Sequence, residues 1–271
     1  MARFWWGQRG TERKIHWLSW ERLCQRKNQG GLGFRNLHHF NLALLAKQGW
    51  RLFQNEHSLR HQLLKAKYFP QSSFFQAGLG RCPSYTWQGI WEARKWLMAG
   101  CMWRIGSGTA VNIWSEQWIP GHKSLLAEGV VVRDDVRMNV VNSLFLPNAR
   151  VWDIPKLRAL FDPNVVNDIL KIQLFSGGMD DCRVWSLERN GMFSVKSCYR
   201  VIQDSLGSPF PEASSQRRPL LLWKHLWKMK VPNKIKNFAW RACQNGLPVG
   251  SLLQQKRILA DPTCKLCLSA P

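Results

Sequence analysis

Between Glu212 and Asp261 the chain carries ten Lys or Arg and no Asp or Glu, and this stretch constrains the fold more than any other. Apolar side chains recur in it at helical spacing. Ile235, Phe238, Ala239, Ala242 and Cys243 fall at i, i+3, i+4, i+7 and i+8, which predicts one buried stripe on one helix. Lys234, Lys236 and Arg241 occupy the opposite face. Upstream, Trp223, Leu226 and Trp227 make a second stripe, and Pro232 separates the two helices. Gly246 and Pro248 supply the stop, since Gly accepts a left-handed cap and Pro cannot continue a helix. The result is a helical pair with aromatic packing and a polar surface of one sign, which repels itself and attracts polyanions.

The rest of the chain points the same way. Its 271 residues have a formal charge of +22 and a pI near 10.3, and ten basic but two acidic residues lie between Met1 and Arg51. Nucleic acid is the polyanion such clustering fits best. The length suits one large domain or two ordinary ones, and a hydrophobic share of 45% excludes wholesale disorder. Apolar runs are short and broken by Lys or Arg, so no membrane span is expected. The start, M-A-R-F-W-W-G-Q-R-G, has no apolar signal core, so the expected compartment is nuclear or cytoplasmic rather than secreted. The eight Cys read as reduced thiols. Cys24, Cys82, Cys101, Cys182, Cys198 and Cys243 are expected to pack, and only Cys264 and Cys267 stand at metal-ligand spacing.

In chain order, residues 1 to 35 look irregular. G-G-L-G-F at 30 to 34 lacks the Lys-Ser/Thr that a phosphate loop needs, and reads as a turn before a helix. Helices are predicted over Asn36 to Phe53, His57 to Tyr68 and Thr86 to Met98. Cys101 to Trp114 alternates around Gly-Ser-Gly, predicting a hairpin that sets Trp103 and Ile105 against Val111 and Ile113. From Pro120 to Gly178 the pattern weakens to short β-like pieces and a helix from Pro163 to Leu174, with Gly177-Gly178 as a boundary. A second hairpin is predicted around Asn190-Gly191, then a helix capped by Ser194 with Val195, Cys198, Tyr199 and Ile202 inside. Residues 203 to 219 read as a flexible loop, and Ser251 to Leu259 as a last short helix. The class is α+β: mainly helical, with two β-hairpins and a small C-terminal helical part.

Many of these stretches resemble the C-terminal region of plant non-LTR (LINE-type) retrotransposon reverse transcriptases, whose last part is the reverse-transcriptase zinc-binding domain. The carriers are K-I-H-W-L-S-W-E-R-L-C (14 to 24), G-G-L-G-F-R-N-L (30 to 37) and N-L-A-L-L-A-K-Q-G-W-R-L (41 to 52). With them go L-K-A-K-Y-F-P (64 to 70), W-R-I-G-S-G-T-A-V-N-I-W (103 to 114), F-S-V-K-S-C-Y-R (193 to 200), W-K-M-K-V-P-N-K-I-K-N-F-A-W-R-A (227 to 242) and C-K-L-C. The resemblance implies a thumb- or connection-like region over 1–120, a connecting segment over 121–180, and a C-terminally truncated zinc-binding-like domain over 181–271. It also implies a polymerase palm upstream of Met1, with an aromatic-x-Asp-Asp turn. The adjacent acid pairs here, Asp134-Asp135 and Asp180-Asp181, lack the preceding aromatic residue and read as solvated loop carboxylates. The family's ribonuclease H segment would lie beyond the zinc domain. Zinc is implied through Cys264 and Cys267, but the site is incomplete, because family members add a His and a Cys further on. His225 and Cys243 are the conceivable substitutes.

The expected function is therefore a non-catalytic, nucleic-acid-binding fragment. Lys224, Lys228, Lys230, Lys234, Lys236, Arg241, Lys256 and Arg257 would meet RNA or DNA phosphates, and exposed Trp would stack on unpaired bases. The alternative is a protein-interaction or structural module, with the remainder of the reverse-transcriptase polyprotein as partner. An active polymerase or nuclease is not expected, for want of clustered metal-binding carboxylates.

Overall fold

The computed structural model describes residues 1–12, 14–125, 128, 140–147, 149–174, 179–206, 217–258, 261 and 263, with only the backbone of 217–220. The helices of the first half are α1 (Ala2–Trp5), α2 (Trp20–Cys24), α3 (Leu37–Gln54), α4 (Leu59–Tyr68) and α5 (Tyr85–Gly100). After them come α6 (Ile154–Leu160), α7 (Pro163–Leu170), α8 (Val195–Ser205), α9 (Arg217–Lys228), α10 (Asn233–Cys243) and α11 (Gly250–Gln255). Among the described residues there are two strands, β1 (Cys101–Arg104) and β2 (Cys182–Trp185). The mainly helical α+β class holds. Serines mark the helix starts: Ser19, Ser58, Ser84 and Ser194 each accept a backbone N–H of the first turn they precede, satisfying a donor that the helix itself cannot.

Compactness divides the chain into residues 1–37 with 207–271, and residues 38–206. The larger unit has two cores. One gathers α3, α4, α5 and α8 around Trp50, Trp87, Trp96 and Trp185. Phe69 and Tyr68 stack on Trp87 with centroids 5.6 and 4.7 Å away. The other core collects Ile105, Val111, Ile113, Trp118, Val141, Leu144, Leu157 and Ile169. Much of it comes from the stretch where the sequence pattern weakens.

The strands are not arranged as the alternation predicts. β1 pairs antiparallel with β2, Cys101 opposite Trp185 and Arg104 opposite Cys182, so the 101–114 segment does not fold back on itself. The Asn190-Gly191 turn closes tightly, with Trp185 N–H donating to Gly191 O at 2.8 Å. It returns into the cap of α8 rather than into a strand, so neither predicted hairpin forms. Beside this pair, Asp181 ties the loop after β1 to the start of β2. Its carboxylate accepts the backbone N–H of Gly106 at 2.6 Å, Gly108 at 2.8 Å and Ala110 at 2.9 Å. The Gly-Ser-Gly-Thr-Ala loop is a nest of inward-pointing amides closed on a carboxylate. Gly108 sits at φ +73°, and a Cβ on Gly106 would lie 2.2 Å from Met179 O. Asp181 is therefore a structural anchor, not the solvated loop group expected. Next to it, Arg183 donates to Glu116 at 3.0 Å, with its guanidinium 4.6 Å from the Trp103 ring centre.

The abundance of Trp acquires a reason. Trp87, Trp91 and Trp118 donate their indole N–H to Leu79, Ala77 and Ile113 carbonyls at 2.9 to 3.1 Å. Each indole fills core volume and also satisfies a carbonyl of an irregular segment, which Phe cannot do. Nine Trp among the described residues are buried, so few remain to stack on bases. Of the cysteines expected to pack, Cys24, Cys101 and Cys198 are buried, and burial pushes the Cys101 and Cys198 thiols up to about 12. Cys82 and Cys243 are exposed instead. The boundary at Gly177-Gly178, Asp134-Asp135 and most of the 203–219 loop lie outside the described residues.

Candidate nucleic-acid interface

The smaller unit is built on the glycine-rich turn. After α2 the chain makes one tight turn over Lys27–Gln29 and reaches Gly30 at φ +90°. Gly30 O there accepts two donors, Trp240 Nε1 of α10 and Gln244 Nε2 just past its end, both at 2.7 Å. A side chain on Gly30 would meet Gln244 Nε2 at 2.5 Å and Trp223 at 2.9 Å. Leu18, Leu23, Trp223, Leu226 and Trp240 form the core beneath. The G-G-L-G-F turn thus organises packing and does not cradle phosphate.

This anchoring sets which face of α10 is buried, and it is not the predicted one. Trp240 is 1% exposed, whereas Ile235 is 45% and Phe238 61% exposed. Ala242 and Cys243 also face outward and Ala239 is half-buried. The helix stop differs too: the left-handed residue is Asn245, at φ +52°.

The basic residues divide by their duties. Lys236 Nζ donates to Trp227 O at 3.4 Å, at the carbonyl end of α9 where a cation is favoured. Arg241 donates from Nε and Nη2 to Gly246 O at 3.2 Å and lies over the Trp6 ring. These two close the unit's own turns. Lys224, Lys228, Lys230, Lys234, Lys256 and Arg257 are exposed. Lys224 and Lys228 are one turn apart on α9 and border a cleft of about 420 Å³, whose other lining includes Lys27, Trp223 and Trp227. Among the described residues, no carboxylate lines it. Lys27 escaped the sequence reading because it lies some 200 residues from Trp227, whose Nε1 donates to the Lys27 carbonyl at 3.2 Å. A second basic cleft, in the larger unit, joins Lys47, Arg51 and Arg60 to Trp50 and Phe193.

Elsewhere one charged cluster looks chemical but serves the fold. His122 lies 3.0 Å from both Glu128 and Asp168. Its hydrogen bonds to those carboxylates raise its pKa, Glu128's contribution being the larger. It pins a loop to α7.

Cys264 and Cys267 lie outside the described residues. Among the described residues no group of three or more His, Cys, Asp or Glu could hold a metal ion. His225 is already engaged, its Nδ1 lying 2.7 Å from Leu221 O. The donors described do not fit a closed four-ligand zinc shell. Nor, among the described residues, is any helix long and apolar enough to cross a membrane.

A family model described as zinc-binding in reverse transcriptase matches residues 193–270. The chain is 43% identical over 120 residues to the "Uncharacterized mitochondrial protein AtMg00310" of Arabidopsis thaliana, covering 44% of this chain and 78% of that protein. It is 28% identical over 276 residues to the "Putative ribonuclease H protein At1g65750" of the same plant, covering 97% of this chain. The chain spans 42% of that relative's length. No solved structure matches.

Proposed function

The chain belongs to the family of plant proteins derived from the C-terminal region of non-LTR retrotransposon reverse transcriptases, with the zinc-binding domain of that enzyme, and from that premise we propose that it binds RNA or DNA without catalysing a reaction. The observation that carries the reading is the acid-free set of exposed cations on α9 to α11, beside a tryptophan-floored cleft. Phosphates meet Lys224, Lys228, Lys230, Lys234, Lys256 and Arg257, while Lys236 and Arg241 contribute field from positions held by internal hydrogen bonds. The division into 1–120, 121–180 and 181–271 is proposed as the order of modules in the parent enzyme. Zinc at Cys264 and Cys267 would be structural, and nucleic-acid binding does not depend on it here.

A charge reversal tests this. Changing Lys224, Lys228, Lys230 and Lys234 together to Glu is expected to weaken binding of a labelled RNA by at least ~100-fold, since each contact neutralises a phosphate. Unchanged affinity would refute the assignment. Incorporation of nucleotides on a primed template, or cleavage of an RNA–DNA hybrid, by the purified chain would refute the absence of catalysis.

One observation favours a second reading. The exposed Ile235 and Phe238 on α10 suit a protein partner, which in this family would be the remainder of the reverse-transcriptase polyprotein. A chain that self-associates and ignores nucleic acid would favour it.

A further inference from the structure

The cleft between α9 and the Lys27–Gln29 turn has the chemistry of a base-stacking site. Its floor is Trp223 and Trp227, and its rim is Lys27, Lys224 and Lys228, with Asn28 as an amide. The Trp227 ring is fixed in orientation, because its Nε1 is tied to the Lys27 carbonyl. Trp227 is half-buried while Trp223 is 7% exposed, so Trp227 is the ring that a ligand can reach. The Lys27 ammonium lies 5.1 Å from its centroid. That contact is the kind an exposed aromatic face makes with a flexible cation, and a flat π-system can displace it. The volume of about 420 Å³ lies within the range of small-ligand sites.

We propose that this cleft takes an unpaired nucleobase of a single-stranded polynucleotide, stacked on Trp227, with the flanking phosphates on Lys224 and Lys228 and Lys27 swung outward. The proposal rests on the nucleic-acid reading above and narrows it to single strands. Two features select this ligand over an acidic peptide. The floor is aromatic and apolar, which offers a carboxylate chain nothing, whereas every base has a π-face. Three lysines line the same cleft as the ring, so a stacked base finds cations for its flanking phosphates. A duplex keeps its bases stacked inside and cannot use the ring, so it gains only the lysines.

The test compares the full chain with Trp227→Ala and Trp227→Phe, using a labelled single strand of about 12 nucleotides and a duplex of the same length. Thermal unfolding of each variant checks that it folds. Trp227→Ala is expected to weaken single-strand binding about tenfold, as loss of one base–aromatic stack does, and to leave duplex binding within twofold. Trp227→Phe, which keeps a ring but not the N–H, is expected to retain most single-strand affinity. Equal losses for both strands, no loss for either, or a Phe variant as weak as the Ala variant would each overturn the proposal while leaving nucleic-acid binding intact. So would competition by poly-glutamate as effective as that by a single strand of equal charge. A wild-type chain that binds neither strand would overturn the underlying reading itself.

Discussion

Replacing Asp181 with Ala is expected to destabilise the larger unit by about 3 kcal/mol, because bonds to an ionised acceptor contribute roughly 1.5–3 kcal/mol each and two of the three backbone donors are partly buried. The third, at Ala110, is exposed and adds little. Without the carboxylate the Gly106 and Gly108 amides lose the acceptor they share, and the nest loses the anion around which it closes. The β1–β2 pairing, which holds the two halves of this unit together across nearly 80 residues of chain, then loses its nearest fixed point. Asp181→Asn retains one acceptor oxygen and is expected to fall between. Urea unfolding followed by circular dichroism gives the magnitude, and amide exchange at Gly106 and Gly108 gives the location. A loss below about 1 kcal/mol for the Ala variant, typical of an exposed loop carboxylate, would show that the nest is incidental.

The second large effect belongs to Trp240. Trp240→Ala is expected to cost about 3–5 kcal/mol, the range for deleting a buried aromatic side chain from a core. The residue is 1% exposed and is one of two donors to Gly30 O. Trp240→Phe keeps most of the volume and loses the hydrogen bond, so about 1 kcal/mol is expected. The ordering matters more than either value. If Ala and Phe were equally harmful, the indole N–H rather than packing would hold α10 to the glycine turn. If Phe238→Ala were as harmful as Trp240→Ala, the buried face would be the one that periodicity predicts.

That last comparison marks where the fold was legible in sequence and where it was not. Helices α3, α4, α5 and α8 could be placed directly, since 3.6-residue apolar spacing is a local signal, but the faces followed only in α5 and α8. In α3 the apolar Leu37 and Leu44 are exposed while Ala43, Ala46 and Trp50 are inside, and α4 buries only His61. In α8 the predicted Cys198 and Ile202 are both fully buried. For α10, periodicity chose the wrong face. Trp240 lies about 140° round the helix from Ile235, and what turns it inward is a pair of donors meeting one carbonyl from residue 30. A count of apolar positions cannot register that. The hairpin at 101–114 failed for the same kind of reason. Alternation shows that a segment can be a strand but not which strand it pairs with, and the partner here lies nearly 80 residues away in sequence. The candidate interface was half legible. Its lysines stood out because no acid dilutes them, whereas Lys27 and the role of Trp227 needed the fold to bring residues 27 and 227 together. Lys236 and Arg241 looked identical to their neighbours in sequence, and only their hydrogen bonds separate them.

The central claim is that six exposed cations bind polynucleotide through its phosphates. Affinity for a single-stranded RNA, measured by anisotropy between 50 and 200 mM salt, tests it most directly. Six contacts at about 0.7 released counterions each give a slope near −4 in log K against log salt, a fall of about 300-fold over that range. A slope near zero, with binding that persists at the higher salt, would contradict the account.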